Sequence, residues 1–213
     1  MEFLTGAGLA VSAGLNAYIP LLLLGLTARF TDIVSLPAGW AWLENGWVLL
    51  VLGVLLVIEF FADKIPGLDS VNDIVHTVVR PAAGGLAFGS GSTASTVAVT
   101  DPAAFFSSNQ WVPIVVGAVI ALAVHLAKMT ARPVINVATL GVGAPVASAI
   151  EDAGSIVVSV LAIVVPILAM LAIAVGIFFV VRLVRRFRRR ARPATDASSP
   201  PSPGSMPQPP RSA

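Results

Sequence analysis

The chain has 213 residues, 56% of them hydrophobic and 11% charged, with a mean hydropathy of +0.90, which lies outside the soluble globular range and implies several apolar runs of bilayer length. Eight of the thirteen basic residues lie from Arg182 onward, leaving five basic and ten acidic residues before it, so the body is acidic and the high pI belongs to the tail. With no cysteine, disulfides, thiolate metal sites and cysteine nucleophiles are excluded.

Met1-Glu2-Phe3-Leu4 lacks the positive region of a secretory signal, so the first apolar run is read as a retained helix. Residues 3–29 are apolar enough to span, but Asn16-Ala-Tyr-Ile-Pro20 interrupts them. Two readings stand: a kinked packing helix, or a broken helix whose freed backbone groups line a cavity. Gly6, Ala10 and Gly14 form a smooth stripe for close helix approach. Residues 30–45 read as a loop, with Trp40, Trp42 and Trp47 as interfacial anchors. In the second run, 46–62, Glu59 lies about 18 Å along from Trp47, inside a hydrocarbon core of about 30 Å.

Glu59 and Asp63 are four apart on one helical face, with Lys64 next in sequence. Beyond Pro66-Gly67, Asp69, Asp73, His76 and Arg80 recur at four, three and four residues and fall within an arc of roughly 60°. Val71, Ile74, Val75, Val78 and Val79 fill the opposite side, and Pro81 stops or kinks the helix. Such a helix can lie in the interface with Asp69 or Ser70 as its cap and Arg80 at its C-terminal dipole. Caps leave Glu59, Asp63 and His76 without a role, which favours a stripe facing a solute, an ion or other charges.

Residues 82–99 are small and uncharged, with Gly85 and Gly89 as a GxxxG pair; no Lys-Ser/Thr follows to make a phosphate loop. The next span starts at Trp111 and ends in a basic stripe, His125, Lys128 and Arg132, before Pro133. The stripe suits the acidic one as a partner, or snorkels as a positive-inside cluster. Residues 134–150 read as a short helix loosened by Gly141, Gly143 and Pro145 and ending at Glu151-Asp152, and 154–181 as a last span bent at Pro166. The expected architecture is an all-α polytopic membrane helix bundle, 1–181, of about six spans, with 70–99 and 134–150 either spanning or re-entrant. A polybasic segment, 182–192, and a disordered Pro/Ser-rich tail, 193–213, follow. The arginines place the C-terminus in the cytoplasm of a plasma (inner) membrane, and counting six spans back puts the N-terminus there too. Lys64, Lys128 and Arg132 then face inside, and Asp32, Glu44, Asp101, Glu151 and Asp152 outside.

At Glu59-Phe-Phe-Ala-Asp-Lys-Ile-Pro-Gly-Leu-Asp, with His76-Thr and Arg80-Pro, and again at His125, Lys128, Arg132-Pro and Glu151-Asp, the chain resembles an integral membrane family catalogued as a domain of unknown function, family 4126. Gly14-Leu-Asn-Ala-Tyr-Ile-Pro20 is similar to its N-terminal motif. The resemblance implies a multi-pass protein over roughly residues 1–180 and assigns no residue a catalytic role. The residues point to a small transporter or channel-like protein whose ion or substrate pathway uses Asn16, Glu59, Asp63, Lys64, Asp69, Asp73, His76, Arg80, His125, Lys128, Arg132, Glu151 and Asp152. Two alternatives stand: a structural or partner-binding membrane protein with internal charge pairing, and a membrane enzyme acting on a lipid phosphate headgroup. In the enzyme, Asp69, Asp73 and His76 would hold Mg²⁺. No cofactor and no nucleic acid is expected; the expected partners are membrane lipids, anionic headgroups at the basic tail and, left open, further copies of the chain.

Overall fold

Residues 1–65, 68–92, 109–140 and 142–190 are described by a computed structural model, without the side chains of Asp69, Ser70, Ala138, Leu183, Val184 and 187–190. The expectations for the side chain of Asp69, for Asp101, for Gly141 and for the tail 193–213 lie outside the described residues. Among the described residues all regular structure is helical: α1 (Glu2–Leu15), α2 (Tyr18–Phe30), a 3₁₀ turn (Ala38–Glu44), α3 (Gly46–Ala62), α4 (Leu68–Gly91), α5 (Trp111–Ala138), α6 (Gly143–Val164) and α7 (Pro166–Arg190). The chain divides into two units, Met1–Ala174 and Val175–Ala213. The second carries exposed Phe178 and Phe179 followed by exposed Arg182, Arg185 and Arg186.

In the first unit α4 lies along α5, and α1 packs on α4, α5 and α6. Small residues set these distances. A Cβ at Gly6 would meet the Phe88 carbonyl at 3.0 Å, one at Gly14 the Ala121 carbonyl at 2.8 Å, and one at Gly8 the Ala162 methyl at 2.7 Å. The Gly6/Ala10/Gly14 stripe is thus the face on which α1 seats, and Leu9, Ala13, Leu24, Ala87 and Ala121 fill the core around it.

α4 is inside out. Its apolar side is exposed at Val71, Ile74, Val75 and Val78, while Asp73, His76 and Arg80 are buried. α3 repeats the pattern, with Leu50, Val51, Val54, Val57, Ile58 and Phe61 exposed and Glu59 buried. Water-soluble helices do the reverse. α5 over Trp111–Val137 and α6 are long and apolar enough to cross a membrane, and the 3₁₀ turn with α3, bent by 62°, makes a third candidate if counted as one span. α1, α2 and Pro166–Arg182 are shorter apolar helices.

Several boundaries differ from those the sequence suggested. Residues 134–150 are not a helix of their own: α5 continues through Pro133 to Ala138, and α6 opens at Gly143. α4 likewise continues through Pro81. A proline disfavours helix in the residue before it, but here those residues are Arg80 and Arg132, both tied by buried ion pairs that hold the local backbone. Pro166 does not bend a span; it opens α7, where its missing N–H is no loss. Trp40 is core rather than anchor, 7% exposed, while Trp47 is 77% exposed. Because Glu151 and Asp152 sit mid-helix in α6 and pair with Lys128, Arg132 and Lys64, they share a side with those cations and do not face away from them.

Candidate functional site: a buried ionic cluster at an interrupted helix

Asn16 breaks the first apolar run with an extended backbone, φ −142° and ψ 125°. Its Oδ1 accepts from the backbone N–H of Tyr18 (3.1 Å) and Ile19 (3.2 Å), serving the start of α2, while its Nδ2 donates to Asp152 Oδ1 at 3.0 Å. On the other side of the break the carbonyls at the end of α1 are freed. Arg80 Nη1 donates to Gly14 O at 3.1 Å and Lys128 Nζ to Leu15 O at 3.4 Å, two cations at the negative end of a helix dipole. Asn16→Ala is expected to lower stability by about 1–3 kcal/mol, since it removes a cap at a buried break and leaves half-buried Asp152 short of a donor. Asn16→Ser, which keeps a cap acceptor, should lose less; thermal unfolding in detergent reads the difference.

Asp63 is the hub. Its Oδ2 receives Lys128 Nζ (3.1 Å) and Arg132 Nη2 (2.9 Å), with Arg80 Nη2 at 3.8 Å, and Ser148 Oγ approaches at 3.4 Å. Asn72 donates to its Oδ1 at 2.7 Å. Arg132 also reaches Asp73 (3.1 Å) and Glu151 (3.3 Å), and Lys128 reaches Glu151 at 2.7 Å. The acidic stripe of α3 and α4 therefore meets the basic stripe of α5 inside the bundle. One helical turn before Asp63, Glu59 Oε1 accepts from Arg80 Nη2 at 2.8 Å and faces His76 Nδ1 at 3.5 Å. At the rim Lys64 pairs with Asp152 (3.3 Å) and lies over the Phe60 ring.

His125 holds both ring nitrogens in use. Arg80 Nη1 approaches Nδ1 at 3.3 Å, so that atom accepts, and Nε2 lies 3.1 Å from the Asp73 carbonyl, so it donates. These contacts assign a neutral ring with its proton on Nε2. Among the described residues Glu59 Oε2, Asp73 Oδ1, His76 Nδ1, Arg80 Nε and Arg132 Nε are buried with no hydrogen-bond partner.

Twelve of the thirteen residues singled out from the sequence thus converge; the side chain of the thirteenth, Asp69, lies outside the described residues. Among the described residues no three His, Asp or Glu side chains meet as a metal ion would require. Sequence reasoning passed over the serines. Ser12 Oγ lies 2.6 Å from both Ser155 and Ser159, forming the α1–α6 seam, and Ser148 reaches Asp63. The signal was present: Ser148, Asp152, Ser155 and Ser159 recur at four, three and four residues, the rhythm that exposed the stripe on α4. Beside the cluster runs an apolar groove of about 550 Å³ between α2, α3 and α6, lined by residues such as Leu22, Leu56 and Phe60, with Asp152 as its charged member.

A family model described as "Domain of unknown function (DUF4126)" matches residues 3–186, and the chain belongs to that family. No curated protein and no solved structure matches it.

Proposed function

We propose that this chain is a small multi-pass membrane transporter in which the ionic cluster at the interrupted first helix handles a cation or a coupling proton. The observation that carries the reading is the break at Asn16, with the freed carbonyls of Gly14 and Leu15 delivered to Arg80 and Lys128 inside the cluster. Interrupted helices whose ends face midplane charges are a recurrent transporter device. Buried charge beside exposed valine and leucine supports a hydrocarbon surround, since ionisable groups there turn inward toward one another. On this reading α5, α6 and the bent pair of the 3₁₀ turn and α3 cross the bilayer, the C-terminus is cytoplasmic, and the arginines from Arg182 onward touch anionic headgroups. Glu59→Gln is expected to reduce proton- or cation-dependent flux in liposomes at least tenfold at unchanged protein incorporation. Flux equal to wild type would remove the reading.

The structural alternative is favoured by a different observation: each described carboxylate of the cluster already meets a cation. In that case Glu59→Gln alters stability and no solute moves in either protein. The metal-dependent enzyme has less behind it, because Asp73 is engaged by Arg132 and His76 faces Glu59.

A further inference from the structure

We infer that Glu59 and His76 hold one exchangeable proton between them, and that this proton is the ligand the cluster takes. Among the described residues the cluster contains five carboxylates, Glu59, Asp63, Asp73, Glu151 and Asp152, against four fixed cations, Lys64, Arg80, Lys128 and Arg132. With both imidazoles neutral, one negative charge stays uncompensated in a site where charge is costly. A single proton delivered by hydronium balances it: one O–H bond of the hydronium breaks, leaving water, as one O–H or N–H bond forms in the cluster.

The contacts say where that proton goes. Asp63 is met by Lys128 and Arg132, Glu151 by the same two, and Asp152 by Lys64 and the Asn16 amide. Asp73 is met by Arg132 through Oδ2, and its Oδ1 is without a partner as Glu59 Oε2 is, but among the described residues it is Glu59 whose carboxylate pairs with an imidazole nitrogen. His125 has no nitrogen to spare. Glu59, 1% exposed, is held only through Oε1 and its Oε2 has no partner among the described residues; His76, 3% exposed, has an unpartnered Nδ1 aimed at that carboxyl. The groups around the pair are the Tyr18 ring from α2, Asp63 at the end of α3, Asp73 and Arg80 from α4, and His125 and Lys128 from α5. Arg80 links the pair to the interrupted helix, bonding Glu59 with one nitrogen and the Gly14 carbonyl with the other. Gain or loss of the proton thus changes the grip on the end of α1. The inference deepens the transporter reading by naming its coupling ion, and proton binding itself does not require transport.

The test is proton uptake by the purified full chain in lipid nanodiscs, read by an indicator dye between about pH 5 and 8, the range in which a histidine-linked site titrates. Wild type is expected to take up one proton per chain more than Glu59→Gln or His76→Gln. Equal uptake by wild type and both variants would overturn the inference. Should the variants not fold, wild type with nitrogen-labelled histidine decides, because His76 and His125 are its two histidines. A pH-dependent His76 signal with a static His125 supports the site, and a static His76 removes it. Normal uptake with Glu59→Gln flux at wild-type level would retire the transporter and leave the proton site standing.

Discussion

Asp63→Asn is expected to lower unfolding free energy by about 3–5 kcal/mol, the range found when one member of a buried ion pair is removed and the other stays. The side chain keeps its size, so the loss is one of charge. Asp63 is 2% exposed on its side chain and receives Lys128 at 3.1 Å and Arg132 at 2.9 Å on one oxygen. Glu151 and Asp73 remain beside those cations and limit the damage, but they cannot replace the oxygen lying between both. The diagnostic step is the second change. In the D63N background, Lys128→Met removes one of the stranded charges and fills its place with an apolar chain, so it should recover part of the loss, although Lys128→Met alone is destabilising. Opposite effects of one substitution in two backgrounds are the signature of direct coupling. Thermal or denaturant unfolding in detergent measures all four proteins; additive losses would show that Asp63 acts through packing instead.

The cluster was legible because charge in an apolar sequence is sparse and helical rhythm is simple. Asp73, His76 and Arg80 announced a face, Lys128 and Arg132 announced another, and burial forces two such faces together. What the rhythm does not contain is depth along each helix. Placing the break at Pro133 gave Glu151 and Asp152 a helix end and sent them to the opposite side; the continuous α5 and α6 bring them back to Lys128 and Lys64. Proline is a local signal, and the arginine before it is anchored by contacts that arrive from other helices. Trp40 misled in the same way. Its type suggests an interface, but a Cβ at Gly89 would come within 2.8 Å of its ring, and only the fold makes that neighbour.

Gly117→Leu is expected to prevent accumulation of folded protein, and Gly117→Ala to lower stability toward the top of the 1–3 kcal/mol range, about what overpacking of a filled core brings. A Cβ at Gly117 would run into the Gly84 carbonyl and the Phe88 Cβ, while one at Gly84 would strike the Ala121 methyl and lie 2.8 Å from the Gly117 carbonyl. Backbone meets backbone there, so no rotamer change relieves the overlap and α4 must move off α5. That seam also sets the register of the two charged stripes: further along it, Asp73 of α4 and Arg132 of α5 sit 3.1 Å apart. Separation by even a fraction of a methyl width lengthens those bonds in a site where an ill-paired ion is costly, so the loss exceeds that of the added carbon. Gly53→Ala is the control, because a Cβ there meets only Leu22 at 3.8 Å and a glycine-to-alanine change inside a helix is otherwise favourable. Size-exclusion profiles and thermal unfolding in detergent should show Gly53→Ala at or above wild type and Gly117→Ala well below it. Equal behaviour of the two would mean that α4 and α5 do not meet at this seam.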